Sequence, residues 1–216
     1  MDSNDVLRSI STVEIDYNYL LSKLKDHRFP RNAIGYLLKT GRLLRVKKGI
    51  YVKSEGGYCP MVLANMIYGP SYVSQDYALS LHGLIPERVQ TITSMTLGKL
   101  KTFETPVGVF HYEHLSPDLY HLGIRREEIS LSQAYLVATP EKALVDCIWR
   151  RPELGTEQSL EEFLIHDRRI DFEAGPRLSI SRLRELARAY DKPVVSALLN
   201  VAIASIPRSV VLRGTN

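Results

Sequence analysis

Cysteine is scarce in this chain, and the two thiols it has are poorly placed for a staple. Of 216 residues only Cys59 and Cys147 carry sulfur of that kind. With no CxxC and no second pair, neither a disulfide framework nor a zinc knuckle is indicated. Long apolar runs are missing too, none approaching the roughly 18 residues a membrane span requires. The opening MDSNDVLRSI has acids where a secretory signal has its basic region, and it lacks a continuous apolar centre. The expectation is a soluble, cytoplasmic protein without a membrane partner. Internal repeats and low-complexity tracts are absent. So are a Walker-type glycine loop, a serine elbow and a zinc-protease helix, which removes the machinery of several large enzyme classes.

The most informative shortage is of acid. From His27 to Ser54 there is no Asp or Glu. Lys23, Lys25, Arg28, Arg31, Lys39, Arg42, Arg45, Lys47, Lys48 and Lys53 face Asp26 alone, ten cations against one anion and a local balance of +9. The whole chain carries +4, so the remainder sums to −5. A basic block on an otherwise acidic protein is the footprint of polyanion binding, because neutralised phosphates release condensed counterions. A solvated basic face is the plain alternative.

Periodicity places these cations on elements. In DYNYLLSKLKD, Tyr17, Leu20, Leu21 and Leu24 recur at helical spacing, with Asp16 available to cap the first amides. HRFP breaks that helix. RNAIGYLLKT then turns Ala33, Ile34, Leu37 and Leu38 inward and Arg31, Asn32, Gly35, Tyr36 and Lys39 outward, with Gly41 at its stop. RLLRV and GIYVK are β-favouring runs joined by KKG, where Gly49 supplies the positive φ of a tight turn. Strand alternation predicts Leu44, Val46 and Ile50 inside, with Arg45 and Lys47 projecting.

Helix, turn, helix and ribbon is the order of a winged helix-turn-helix, with residues 3 to 11 the candidate for its third helix. On this reading Arg42, Arg45, Lys47, Lys48 and Lys53 of the ribbon position phosphates, while Arg28 joins them and Arg31, Asn32, Tyr36 and Lys39 face base edges.

SEGGYCP changes the composition and predicts a hinge, dividing the chain into residues 1–56 and 57–216. The second part reads as α+β: a helix in MVLANMIY, a strand and a helix capped by Ser74 in SYVSQDYALSLHGLI, a strand in VQTITSMTL and a hairpin in KTFETPVGVFHYEHL. A helix follows in TPEKALVDCIW, capped by Thr139 with Pro140 first, and then a helical tail near 158–166, 179–190 and 192–205.

The blocks LLKTGRLLRVKKGIYV, YGPSYVSQDYALSLHGLIPE, TPVGVFHYEHL and ATPEKALVDCIW, spanning roughly residues 35 to 149 in order, resemble the AbiEi family of antitoxins of type IV toxin-antitoxin systems. The tail's LRELARAY is similar to the family's LxxLAxxY-like helices. The resemblance implies a winged helix that binds the promoter of its own operon, joined to a domain that counteracts a nucleotidyltransferase-type toxin. Operators are commonly inverted repeats, so two copies are expected to meet on DNA. Whether the toxin itself is touched stays open.

Residues for three other chemistries are present. His111, Glu113, His114 and His121 invite a metal, but strand alternation sends His114 away from His111 and Glu113. His82 reads as a cap on its helix's last carbonyls. An enzyme would have to use Glu141 and Lys142, or Asp167 and Asp171 with Glu173, yet the first pair is adjacent on a helix start and the second has no phosphate-binding loop. Tyr68, Tyr72, Tyr77, Tyr112 and Tyr120 could stack bases, though such tyrosines are usually core. The expectation is no catalytic residue, no cofactor and no metal. The alternatives are a stand-alone winged-helix regulator, or a metal-dependent nucleic-acid enzyme.

Overall fold

A computed structural model describes residues 2–130, 133–170, 172 and 177–204. The fold is α+β with a helical C-terminal tail. Its first unit runs α1 (Ser3–Ser9), β1 (Glu14–Asp16), α2 (Tyr17–Lys23), α3 (Pro30–Lys39), β2 (Leu43–Lys47) and β3 (Ile50–Lys53). α1 lies within residues 3 to 11, where the sequence offers a helix. Asp16 caps α2 by accepting the Tyr19 amide at 3.0 Å, and Pro30 opens α3 where a missing amide is harmless. β1 was not foreseen, because three residues are too few to display alternation. It pairs with β3 to make an antiparallel sheet of order β1-β3-β2.

The central strand of that sheet, β3, is buried on both faces. Ile15, Leu43 and Tyr51 join Leu20, Leu24, Ile34 and Leu37 in a small N-terminal core. Val46, Ile50 and Val52 turn the other way into the core of the larger part. Three successive buried residues in β3 express this: a strand's neighbours point to opposite sides, so burial of all three requires cover on each. The ribbon's inner residue is Leu43 rather than Leu44, which is 38% exposed. β2 also slips register between Arg45 and Lys47, so strict alternation fails there.

The larger part continues with α4 (Pro60–Ile67), β4 (Ser71–Val73), α5 (Gln75–Leu81), β5 (Ile92–Thr96), β6 (Lys101–Thr105), β7 (Gly108–His114), α6 (Pro117–Tyr120), β8 (Ile124–Ser130), β9 (Gln133–Ala138) and α7 (Pro140–Ile148). Then come α8 (Glu157–Glu162), which runs into a π-helical segment at Phe163–Asp167, α9 (Ile180–Tyr190) and α10 (Pro193–Ala204). The mixed sheet has the order β6-β7-β5-β4-β9-β8. The β6–β7 hairpin closes through the TPVG stretch as expected. β8 was not read from sequence. Its Arg125, Arg126, Glu127 and Glu128 carry no apolar period, and as an edge strand it is mostly exposed, where charge discourages further pairing.

Candidate nucleic-acid interface

α3 presents two faces of opposite character. Ala33, Ile34 and Leu37 are buried, whereas Arg31, Asn32, Tyr36 and Lys39 are exposed, with Arg28 exposed on the loop before them. No described carboxylate lies within ion-pair distance of Arg28, Arg31, Lys39, Arg45 or Lys48. Arg45 and Lys48 are the exposed cations of the ribbon and its turn. Arg45 lies across from Tyr51, its guanidinium 6.0 Å from the ring centroid.

Three of the cations expected to face a partner are turned elsewhere. Lys47 donates to the Ile67 carbonyl at 2.8 Å and sits 4.3 Å above the Phe103 ring, so it fastens the ribbon to α4 and β6. The register slip in β2 is the cause, since it carries Lys47 to the side of Val46 and Ile50. Burial, helped by Lys101, lowers its ammonium pKa. Lys53 donates to the Ile10 carbonyl at the end of α1, and burial lowers its pKa as well. Arg42 pairs with Glu55 at 2.5 Å. The ribbon is thus a wall between two cores that exposes cations at Arg45 and Lys48, not a free basic wing.

Glu14 reinforces this wall, and no sequence signal had marked it. Buried at 5% exposure, its carboxylate accepts the Cys59 amide at 2.5 Å and the Gln133 side-chain amide. It therefore joins β1 to the start of α4 and to β9.

A second constellation lies inside the larger part. Lys142 and Asp146 stand one helical turn apart on α7, 3.1 Å from Nζ to Oδ1, with both side chains fully buried. Asp146 also accepts from Tyr72 Oη at 2.8 Å, Ser74 Oγ at 2.7 Å and Tyr190 Oη at 2.7 Å. Lys142 donates to the Leu119 carbonyl at 3.1 Å and to Tyr190 Oη. Burial lowers the lysine pKa and Asp146 partly restores it, while burial and Asp146 together push the Tyr72 and Tyr190 phenols up. Gly123, at φ +63, passes so close that an added Cβ would stand 2.8 Å from Lys142 Cβ. Sealed from solvent, the cluster ties α7 to β4 and α9. Ser74 spends its hydroxyl here and makes no cap on α5.

The neighbouring Glu141 is buried and accepts the Ser179 amide at 2.6 Å and Arg182 Nη1 at 3.1 Å. Burial alone would raise its carboxyl pKa, but these donors outweigh it and hold the value below the ordinary range. It fastens the start of α9 and also serves the first turn of its own helix, where it meets its own amide and the capping Thr139. Of the other acids of the enzyme alternative, Asp167 is exposed at the end of the π-helical segment, and Asp171 and Glu173 lie outside the described residues.

The histidines occupy separate sites. His111 Nε2 lies 3.8 Å from Glu113, and its Nδ1 meets Thr102 Oγ1 at 2.8 Å. His114 Nδ1 meets the Gly98 carbonyl at 2.9 Å. Among the described residues no group of three or more His, Cys, Asp or Glu is placed to hold a metal ion. Tyr72 and Tyr112 are fully buried, and Tyr68, Phe103 and Tyr112 pack edge-to-face or tilted, which makes them core. No described helix is long and apolar enough to cross a membrane.

His82 does not cap α5 through its ring; Nε2 lies 2.8 Å from the Ala138 carbonyl at the end of β9. Burial lowers its pKa below 6.5 despite that bond. Above pH 6.5 the imidazole is neutral in folded and unfolded chains alike. As pH falls below 6.5 the unfolded chain takes the proton first, so stability drops until the lowered folded pKa is passed. Urea midpoints should fall across that window in the wild type, and the His82→Asn variant should lack this component.

No family model matches the chain, and no curated protein matches it. Among solved structures, it is similar to the RV2827C protein from Mycobacterium tuberculosis, at 16% identity and a TM-score of 0.49, over 93% of this chain and 79% of that one.

Proposed function

We propose that residues 1–56 form a winged helix-turn-helix that binds duplex DNA, with α3 in the major groove and Arg45 and Lys48 against the backbone. The observation that carries this is the exposed face of α3. It offers Arg31, Asn32, Tyr36 and Lys39 without a described ion-pair partner, in a stretch that has no acid from His27 to Ser54. Cations at such positions neutralise phosphates, and an amide side chain among them can pair with the N6 and N7 of adenine. On the resemblance of the four sequence blocks to AbiEi antitoxins, the chain represses its own operon from the cytoplasm, and residues 57–216 counteract a nucleotidyltransferase-type toxin. A palindromic operator would seat two copies.

The test has two arms. Full-length protein is titrated against the duplex upstream of its own reading frame at several salt concentrations. Asn32→Ala should lose preference for that duplex over unrelated DNA by at least about fivefold while its affinity for unrelated DNA stays near the wild-type value; proportional loss of both would count against base reading by α3. In the second arm the larger part and the whole chain are each co-expressed with the adjacent gene. Growth rescue supports the antitoxin role, and its absence with DNA binding intact leaves a stand-alone regulator.

A further inference from the structure

Phe29 is the most exposed aromatic side chain among the described residues, at 55%, and nothing in the packing accounts for it. It occupies the N-cap position of α3 but makes no side-chain cap, so the position is not held for helix initiation. Its backbone is anchored instead: the amide donates to His27 Nδ1 at 3.2 Å, and Pro30 follows at the first helical position. The Arg28 guanidinium lies 5.3 Å from the ring centroid. Leu21, Arg28, Phe29, Pro30, Arg31 and Asn32 line a shallow groove at this corner.

A lone exposed apolar side chain is ordinary on a protein surface. An exposed aromatic ring in a groove it shares with Arg28 and Arg31, neither of which has a described carboxylate partner, is a different matter, because the charge selects a polyanionic partner and the ring asks for apolar surface within it. In duplex DNA the major groove presents one apolar group, the C5-methyl of thymine, and a docked helix meets base edges with its N-terminal residues.

Resting on the DNA reading above, we propose that Phe29 is a specificity-determining residue that packs against a thymine methyl in the major groove, beside a base read by Asn32. The site therefore favours a thymine-containing step where α3 enters the groove, while Arg28 and Arg31 hold the flanking phosphates.

The experiment selects duplexes from a random library with the full chain, then remakes the enriched duplex with each thymine replaced in turn by deoxyuridine, which lacks only the methyl group. At one position the replacement should weaken wild-type binding about fourfold, the worth of one buried methyl. Phe29→Ala should bind both duplexes equally, with the salt dependence of binding retained. Phe29→Leu should recover part of the discrimination, which separates lost contact from lost folding. If no thymine is methyl-sensitive, or if Phe29→Ala keeps the sensitivity, the assignment of Phe29 is overturned while salt-dependent binding leaves the DNA reading in place. If the library yields no enriched duplex and binding shows no salt dependence, the DNA reading falls and Phe29 with it.

Discussion

Asp146→Ala is expected to remove about 3 to 5 kcal/mol of stability, a large share of the roughly 5 to 15 kcal/mol an ordinary domain has, with little change at the molecular surface. The reason is the charge left behind. Lys142 is fully buried, and without Asp146 it retains only Leu119 and Tyr190 as polar partners. The hydroxyls of Tyr72 and Ser74 lose their acceptor in the same stroke. Lys142→Met should be milder, because Asp146 still accepts from three hydroxyls. The Lys142→Met, Asp146→Leu double variant should recover much of the loss, since apolar groups of similar volume can replace a buried pair. Urea unfolding midpoints decide the matter. An Asp146→Ala protein as stable as the wild type would mean that water reaches the cluster and that α7 is not held by it.

Replacing Arg31, Lys39 and Lys48 together with alanine is expected to flatten the salt dependence of duplex binding by up to about 2.7 in slope. That lowers affinity roughly a hundredfold at physiological salt. The control is the triple alanine variant of Arg42, Lys47 and Lys53. These three are engaged by Glu55, the Ile67 carbonyl and the Ile10 carbonyl, so their loss should leave the slope near the wild-type value and lower stability instead. By net charge the two variants are alike. A difference in slope therefore reports where the cations point, and equal slopes would place the ribbon's half-buried Lys47 and Lys53 back on the DNA surface.

The contrast between these two sets marks how far the sequence could be read. α2 and α3 were legible because their apolar residues repeat at 3.6 and their ends carry Asp16, Pro30 and Gly41. The turn at Gly49, φ +87, and the start of α7 at Thr139 and Pro140 were legible for equally local reasons. β1 and β8 were not. One is too short to show a period, and the other is an edge strand whose charges face solvent, so neither has the apolar alternation that marks a strand. Lys142 and Asp146 were visible as residues but not as a site, since Tyr72, Ser74 and Tyr190 come from elements 44 to 74 residues away.

The order of helices and ribbon in the first unit, the basic block without acid and the apolar face of α3 follow from the residues themselves, because each depends on neighbours within a turn or two of chain. Which cations stay free was decided only by packing. A register slip of one residue in β2, and a larger core waiting on the ribbon's other face, turned Lys47 inward onto a carbonyl. Alternation along a strand tells which side a residue faces, whereas what covers that side is set by chain arriving from far away, and a lysine on a flexible stem takes whichever acceptor it finds there.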